Sequence, residues 1–267
     1  MFLAYLLSSR PVGEAVLPEP EAVRAKMAER TKGVSVRPND HDGQLVIEAS
    51  GVAVALQAVA TPMPLDPGST PGDNPMWKNA ATELPTQRQH VIATVLPGSG
   101  EVPKLAEAAV MTLVLYAVAE LVPGTLAVCW AAHGRFASRE TLDLLVGHGL
   151  EGMTKLWTVV SVHPDPDQPG RSRGFTQGLR PFGCPDFGSV DANEPADELV
   201  ARLEGLIAYV LPKGPVIRDG ETIGESAQER IRVREAASPF GHDEPILLLE
   251  YDAPAPKRRG WFRRRKG

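Results

Sequence analysis

Two cysteines, six histidines and scattered carboxylates are the side chains from which any chemistry would have to be built. Cys184 sits in Phe182-Gly183-Cys184-Pro185-Asp186. A thiol becomes a nucleophile when a neighbouring base, a cation or a helix N-terminus lowers its pKa. His41, His90, His133, His148, His163 and His242 are the available bases, and no spacing in the chain brings one of them to Cys184. A small buried residue in a tight loop is the plainer reading of that cysteine. His163-Pro164-Asp165-Pro166-Asp167 offers three possible ligands to an ion, yet its two prolines favour a solvated turn. The chain has no C-x-x-C, no H-E-x-x-H and no histidine pair at i, i+4, so no metal and no cofactor is expected. The serine hydrolase pattern G-x-S-x-G is also missing. Gly98-Ser99-Gly100 before a helix is the nearest thing to a phosphate cradle. Lys104 is displaced from the position that a phosphate-binding loop requires, so a glycine turn capped by Ser99 is favoured.

What remains is a surface that binds. Around Gly174 to Val190, Arg171, Arg173 and Arg180 mix with Phe175, Phe182 and Phe187. Arginine and aromatic side chains are what binding hot spots favour, and long loops held by a rigid scaffold commonly carry function. Arg180, Phe182, Cys184 and Asp186 are therefore the candidate binding residues, and no residue is assigned to catalysis. The competing reading is that Phe182 and Phe187 pin the segment to a sheet while its glycines supply turns.

The 267 residues are 43% hydrophobic and 23% charged, which excludes a wholly disordered or collagen-like chain. Aromatic residues are only 6%, so the core must be mostly Ala, Val and Leu. Two cysteines are too few for a disulfide framework and suit a reducing compartment, and a cytoplasmic location is expected. Charge is unevenly placed. Lys257, Arg258, Arg259, Arg263, Arg264, Arg265 and Lys266 are seven of the 28 basic residues, with no acid among them. The other 21 basic side chains face 33 acidic ones, a balance of −12. A body that acidic repels phosphates over its general surface, which argues against a nucleic-acid enzyme. Trp261-Phe262 between the two basic clusters leaves contact with an anionic surface as an option for the tail. Phe2 to Leu7 is too short for an export signal and no basic residue precedes it. Leu105 to Val122 is broken by Glu107, Thr112 and Glu120, and reads as a covered central helix rather than a membrane span.

Apolar runs and turn residues predict strands at Phe2–Ser8, Val34–Arg37, Gln44–Ala49, Val52–Thr61, His90–Leu96 and Thr125–Ala131. Asp42-Gly43 and Ser50-Gly51 mark tight turns of a meander. Helices are expected at 19–31, around Met76–Thr82 carrying Trp77, from Pro103 to Pro123-Gly124, and from Ser138 as N-cap to Val146. Gly147 to Thr154, with three glycines and no apolar run, is the expected boundary. Beyond it come strands at Leu156–His163, Val216-Ile217, Ile231–Arg234 and Ile246–Tyr251. Gly174–Val190 is expected as loop or irregular strand. A helix over Ala196–Leu211 shows Leu199, Leu203, Leu206 and Val210 on one face. The expected fold is α+β, with mixed or mainly antiparallel sheets and interleaved helices, in two halves of related size. These are residues 1–150 and 151–252, followed by a disordered basic tail at 253–267.

The second half carries a family likeness. Thr176-Gln177-Gly178-Leu179-Arg180-Pro181-Phe182-Gly183-Cys184-Pro185-Asp186 is followed by a helix, then by Asp219-Gly220-Glu221-Thr222-Ile223-Gly224 and Leu248-Leu249-Glu250-Tyr251. This order resembles the bacterial domain-of-unknown-function family 4261 over about Lys155 to Tyr251. The resemblance implies a soluble bacterial α/β module and assigns no catalytic residue. A non-catalytic binding or adaptor protein with an unidentified protein partner is the expected function. The alternatives are a hydrolase-type enzyme with its site in 174–190, or peripheral contact with an anionic surface through the basic tail.

Overall fold

Seven short strands form the first sheet in the computed structural model, which describes residues 2–38, 43–64, 74–98, 102–224 and 229–251. They are β1 (Leu3–Ser8), β2 (Ser35–Pro38), β3 (Gln44–Ala49), β4 (Val52–Val59), β5 (Gln89–Val95), β6 (Thr125–Trp130) and β7 (Phe136–Ser138). Every pairing is antiparallel, in the order β2-β3-β4-β5-β1-β6-β7. Register follows the period of two: Leu45 faces Leu56, Ile47 faces Val54 and Ala49 faces Val52, and all six are buried. The β3–β4 turn places Ser50 and Gly51 at positive φ, the geometry of a two-residue hairpin turn.

Three of this unit's helices are α1 (Pro20–Ala28), α2 (Ala80–Glu83) and α3 (Lys104–Leu121). As expected from apolar residues at nearly every angle, α3 is covered on several sides. It packs on β4 and β5, on α1, and on α4 (Arg139–Gly147) and α5 (Gly149–Trp157). The central strands β1 and β6 bury their other face too, where Leu7, Ala127 and Cys129 meet Trp77, Ala80 and Leu84. Ser138 caps α4 by accepting the Thr141 N–H at 3.1 Å.

Several expectations need correction. Trp77 precedes α2 rather than riding on it; its indole N–H donates to Glu83 Oε2 at 2.7 Å. The stretch Gly147–Thr154 is mostly α5, whose Gly152, Met153 and Leu156 are buried. Three glycines lower helix propensity, but burial against α3 and α4 outweighs that cost.

The second sheet runs β11-β12-β13-β10-β9-β8. Its strands are β8 (Val159–Pro164), β9 (Ser172–Gln177), β10 (Phe187–Ala192), β11 (Thr222–Ile223), β12 (Ile231–Ala236) and β13 (Ile246–Tyr251). β10 pairs with β13 in parallel, and its pairing with β9 is antiparallel, as are β11–β12 and β12–β13. α6 (Ala196–Val210) packs against β10 and buries Leu199, Leu203, Ile207 and Val210. Ile207 takes the core place expected for Leu206, which is half-buried. Val216-Ile217, expected as a strand, has no regular secondary structure. The fold is α+β, with two mostly antiparallel sheets and interleaved helices.

The chain divides into two compact units. One holds the residues up to Val159 together with Gln177–Cys184; the other holds Val160–Thr176 and the described residues from Pro185 on.

Candidate functional site

The segment 174–190, expected as loop or irregular strand, is partly each. It is the end of β9, a 3-10 turn over Arg180–Phe182, and the start of β10. Gly178 has φ +109°, and a Cβ there would lie 2.2 Å from the Trp157 carbonyl oxygen, so only glycine lets these two stretches of backbone approach. Gly183, left-handed at φ +78°, closes the turn. Phe182 is buried edge-on against Phe2, with ring centroids 4.9 Å apart, and tilted against Trp157 at 5.7 Å. The Trp157 indole donates to Thr112 Oγ1 at 2.8 Å, and that hydroxyl donates to the Ala108 carbonyl at 2.8 Å. Cys184 is buried, with Sγ 4.0 Å from the Phe182 carbonyl oxygen. Arg180 is exposed at the start of the turn. Phe182 also lines an apolar cleft of about 260 Å³ with Phe2, Leu3, Trp130 and Pro181.

Asp186 belongs to the other unit, where it is buried at the start of β10. Its Oδ1 accepts the Thr176 hydroxyl at 3.1 Å, and Thr176 Oγ1 in turn accepts the Phe187 N–H at 2.9 Å. Its carbonyl oxygen accepts the Leu247 N–H at 2.8 Å. This buried carboxylate ties β9 to β10. Of the four residues named from the sequence, three therefore lie in the first unit and one in the second.

Several other titratable groups are committed to structure. Asp165 spends its carboxylate on its own turn, accepting the Asp167 N–H at 2.9 Å and the Gln168 amide at 3.2 Å. Among the described residues no group of three or more His, Cys, Asp or Glu side chains is placed to hold a metal ion. Partly buried His133 has Nδ1 3.1 Å from the Arg135 N–H and Nε2 2.9 Å from the Leu156 carbonyl. These partners assign the proton to Nε2. Burial pulls the His133 pKa down to about 4 and pushes the Cys129 thiol up to about 12. Asp219, read as a turn residue, accepts the Glu235 N–H at 2.8 Å. Ser99, Gly100 and the seven tail cations lie outside the described residues.

No spacing in the chain foretells a half-buried ionic cluster in the second unit. Arg202 on α6 donates through Nε and Nη2 to both carboxylate oxygens of Glu194 at 2.9–3.1 Å, and through Nη2 to Glu229 Oε1 at 2.6 Å. The Tyr251 hydroxyl donates to Glu194 Oε1. Burial and then the Glu194 hydrogen bond raise the Tyr251 phenol above its ordinary value. Burial works against the Arg202 charge, but Glu194 outweighs it and the guanidinium pKa rises. Residues 194, 202, 229 and 251 share no local spacing; only a charge on a helix with so regular an apolar stripe hints at a buried partner.

Arg202 also forms part of an open groove of about 560 Å³. One wall is α6, where Ala201 and Gly205 are small and Leu206 and Tyr209 supply apolar surface. The other is the 216–224 segment, with Val216 and Ile223. Tyr209 is 47% exposed and Val216 41%, large values for apolar side chains lining a common concavity.

Residues 175–249 match the model described as Domain of unknown function (DUF4261). The DUF4261 segment contains the whole groove, α6 and the Phe182 turn. No curated protein and no solved structure matches the chain.

Proposed function

We propose that this chain is a non-catalytic binding module whose contact surface is the groove between α6 and residues 216–224. One observation carries the reading: half-exposed Tyr209 and Val216 line an open concavity inside the DUF4261 segment. A groove with apolar walls and a few polar groups is the usual form of a recognition site. The tyrosine in its lining, Tyr209, matches the composition of binding hot spots. The partner is a protein, and two buried cysteines suit a reducing, cytoplasmic setting. The hydrolase alternative draws less support, because Cys184 and Asp186 are buried in backbone-holding roles.

Gly205 offers a clean test. It is exposed, and a Cβ there meets nothing within 4 Å, so Gly205→Leu fills the groove without disturbing the core. A photo-crosslinking amino acid at Tyr209 should give a discrete protein adduct in the native host, and Gly205→Leu should remove it. Absence of any Tyr209-dependent adduct would sink the reading.

A further inference from the structure

We propose that the groove is a docking site for this chain's own basic-aromatic segment, Lys257 to Lys266, held in cis. The proposal rests on the groove being a contact surface, and names what occupies it.

Charge is the first argument. The cation in the groove lining is already engaged, since Arg202 lies between Glu194 and Glu229. Nearby Lys213 has its Nζ over the Tyr209 ring at 3.5 Å, and exposed Arg218 in the 216–224 segment is outnumbered there by Asp219 and Glu221. Two carboxylates on one guanidinium leave an excess of negative charge. Glu221 in the groove wall and exposed Glu198 add to it, Glu198 lying one helical turn before Ala201 and Arg202 in the same row of α6. An occupant must therefore present apolar bulk together with positive charge. Lys257-Arg258-Arg259-Gly260-Trp261-Phe262-Arg263-Arg264-Arg265-Lys266 has that composition, an aromatic pair between two basic clusters.

Place is the second argument. β13 ends at Tyr251, whose hydroxyl donates to Glu194, the carboxylate that holds Arg202 in the groove. The last described residue thus lies in the cluster that lines the groove. Five residues, Asp252 to Pro256, separate Tyr251 from Lys257, and five residues can reach at most about 16 Å at roughly 3.3 Å per residue. Tethering of this kind gives an effective concentration on the order of millimolar, so even a weak contact in cis is populated.

The experiment uses a fluorescent peptide of sequence Lys257–Lys266 titrated against the full chain and against a chain ending at Asp252. The truncated chain should bind the peptide with 1:1 stoichiometry, more weakly at higher salt. The full chain should bind at least tenfold more weakly, since its own segment competes. Gly205→Leu in the truncated chain should abolish binding, and so should Ala at both Trp261 and Phe262 in the peptide. Equal binding by full and truncated chains overturns the proposal, as does binding that survives Gly205→Leu. It is likewise overturned if the peptide binds phosphatidylserine vesicles and not the truncated chain, or if the full chain is a dimer that truncation splits. Any of these leaves the groove's role toward a protein partner intact, because that is read separately by the Tyr209 adduct.

Discussion

Phe182 and Arg180 stand two residues apart in one turn and do opposite things. Phe182→Ala removes a buried ring from between Phe2 and Trp157, and should cost about 3–5 kcal/mol in denaturant unfolding. Exposed Arg180→Glu should change stability by less than about 1 kcal/mol. An equal loss for both would mean that Arg180 is as structural as the phenylalanine. His133 makes a second prediction at this scale. Its folded pKa of about 4 lies below the ordinary 6.5, so the unfolded chain binds the proton more readily. Its contribution to stability is therefore full above about pH 6.5 and is lost as pH falls toward 4. The imidazole should show no NMR titration above pH 5, and a midpoint near 6.5 would refute the burial argument. The residue types of this site could be read directly from the chain; their burial could not, because it depends on which elements cover them.

At the scale of elements, α3 and the Arg202 cluster are the parts whose loss should be felt most. Leu115 is fully buried, so Leu115→Asp should abolish cooperative melting of the first unit, while half-buried Leu113→Asp should be milder. Arg202→Met leaves Glu194 buried without its cation and should cost about 3–5 kcal/mol, little altered by salt. A salt-sensitive loss would show that the pair is solvated. Elements with strong periodicity, such as α3 and α6, were legible because one stripe or one long apolar run suffices to define them. α5 was not, since Gly147, Gly149 and Gly152 speak against a helix that only packing on α3 and α4 retains. Leu206 shows the same limit: Ile207 occupies the core, and the leucine turns to the groove.

For the molecule as a whole, the order of strands predicts where the chain tolerates truncation. β13 lies between β12 and β10, so a chain ending at Glu244 should lose the cooperative melting of the second unit. A chain ending at Asp252 keeps every described strand and should melt cooperatively, within a few degrees of the full chain. Collapse of the longer truncation would show that the basic segment is part of the fold and not a docked appendage.

Some properties follow from local chemistry and need no fold. Antiparallel hairpins follow from alternation and turn residues, the α+β class from helices interleaved with meanders, and the family likeness from a motif order carried along 175–249. The acidic body and the basic segment are equally plain, being sums over the chain. The meeting of residues 194, 202, 229 and 251 follows from none of these, because each reaches the cluster from a different segment of the unit. Nor does the assignment of Cys184 and Asp186 to different compact units, although one residue separates them in sequence. Spacing along a chain reports distance only within one helix or strand; beyond that, side chains meet where burial of apolar surface brings their elements together.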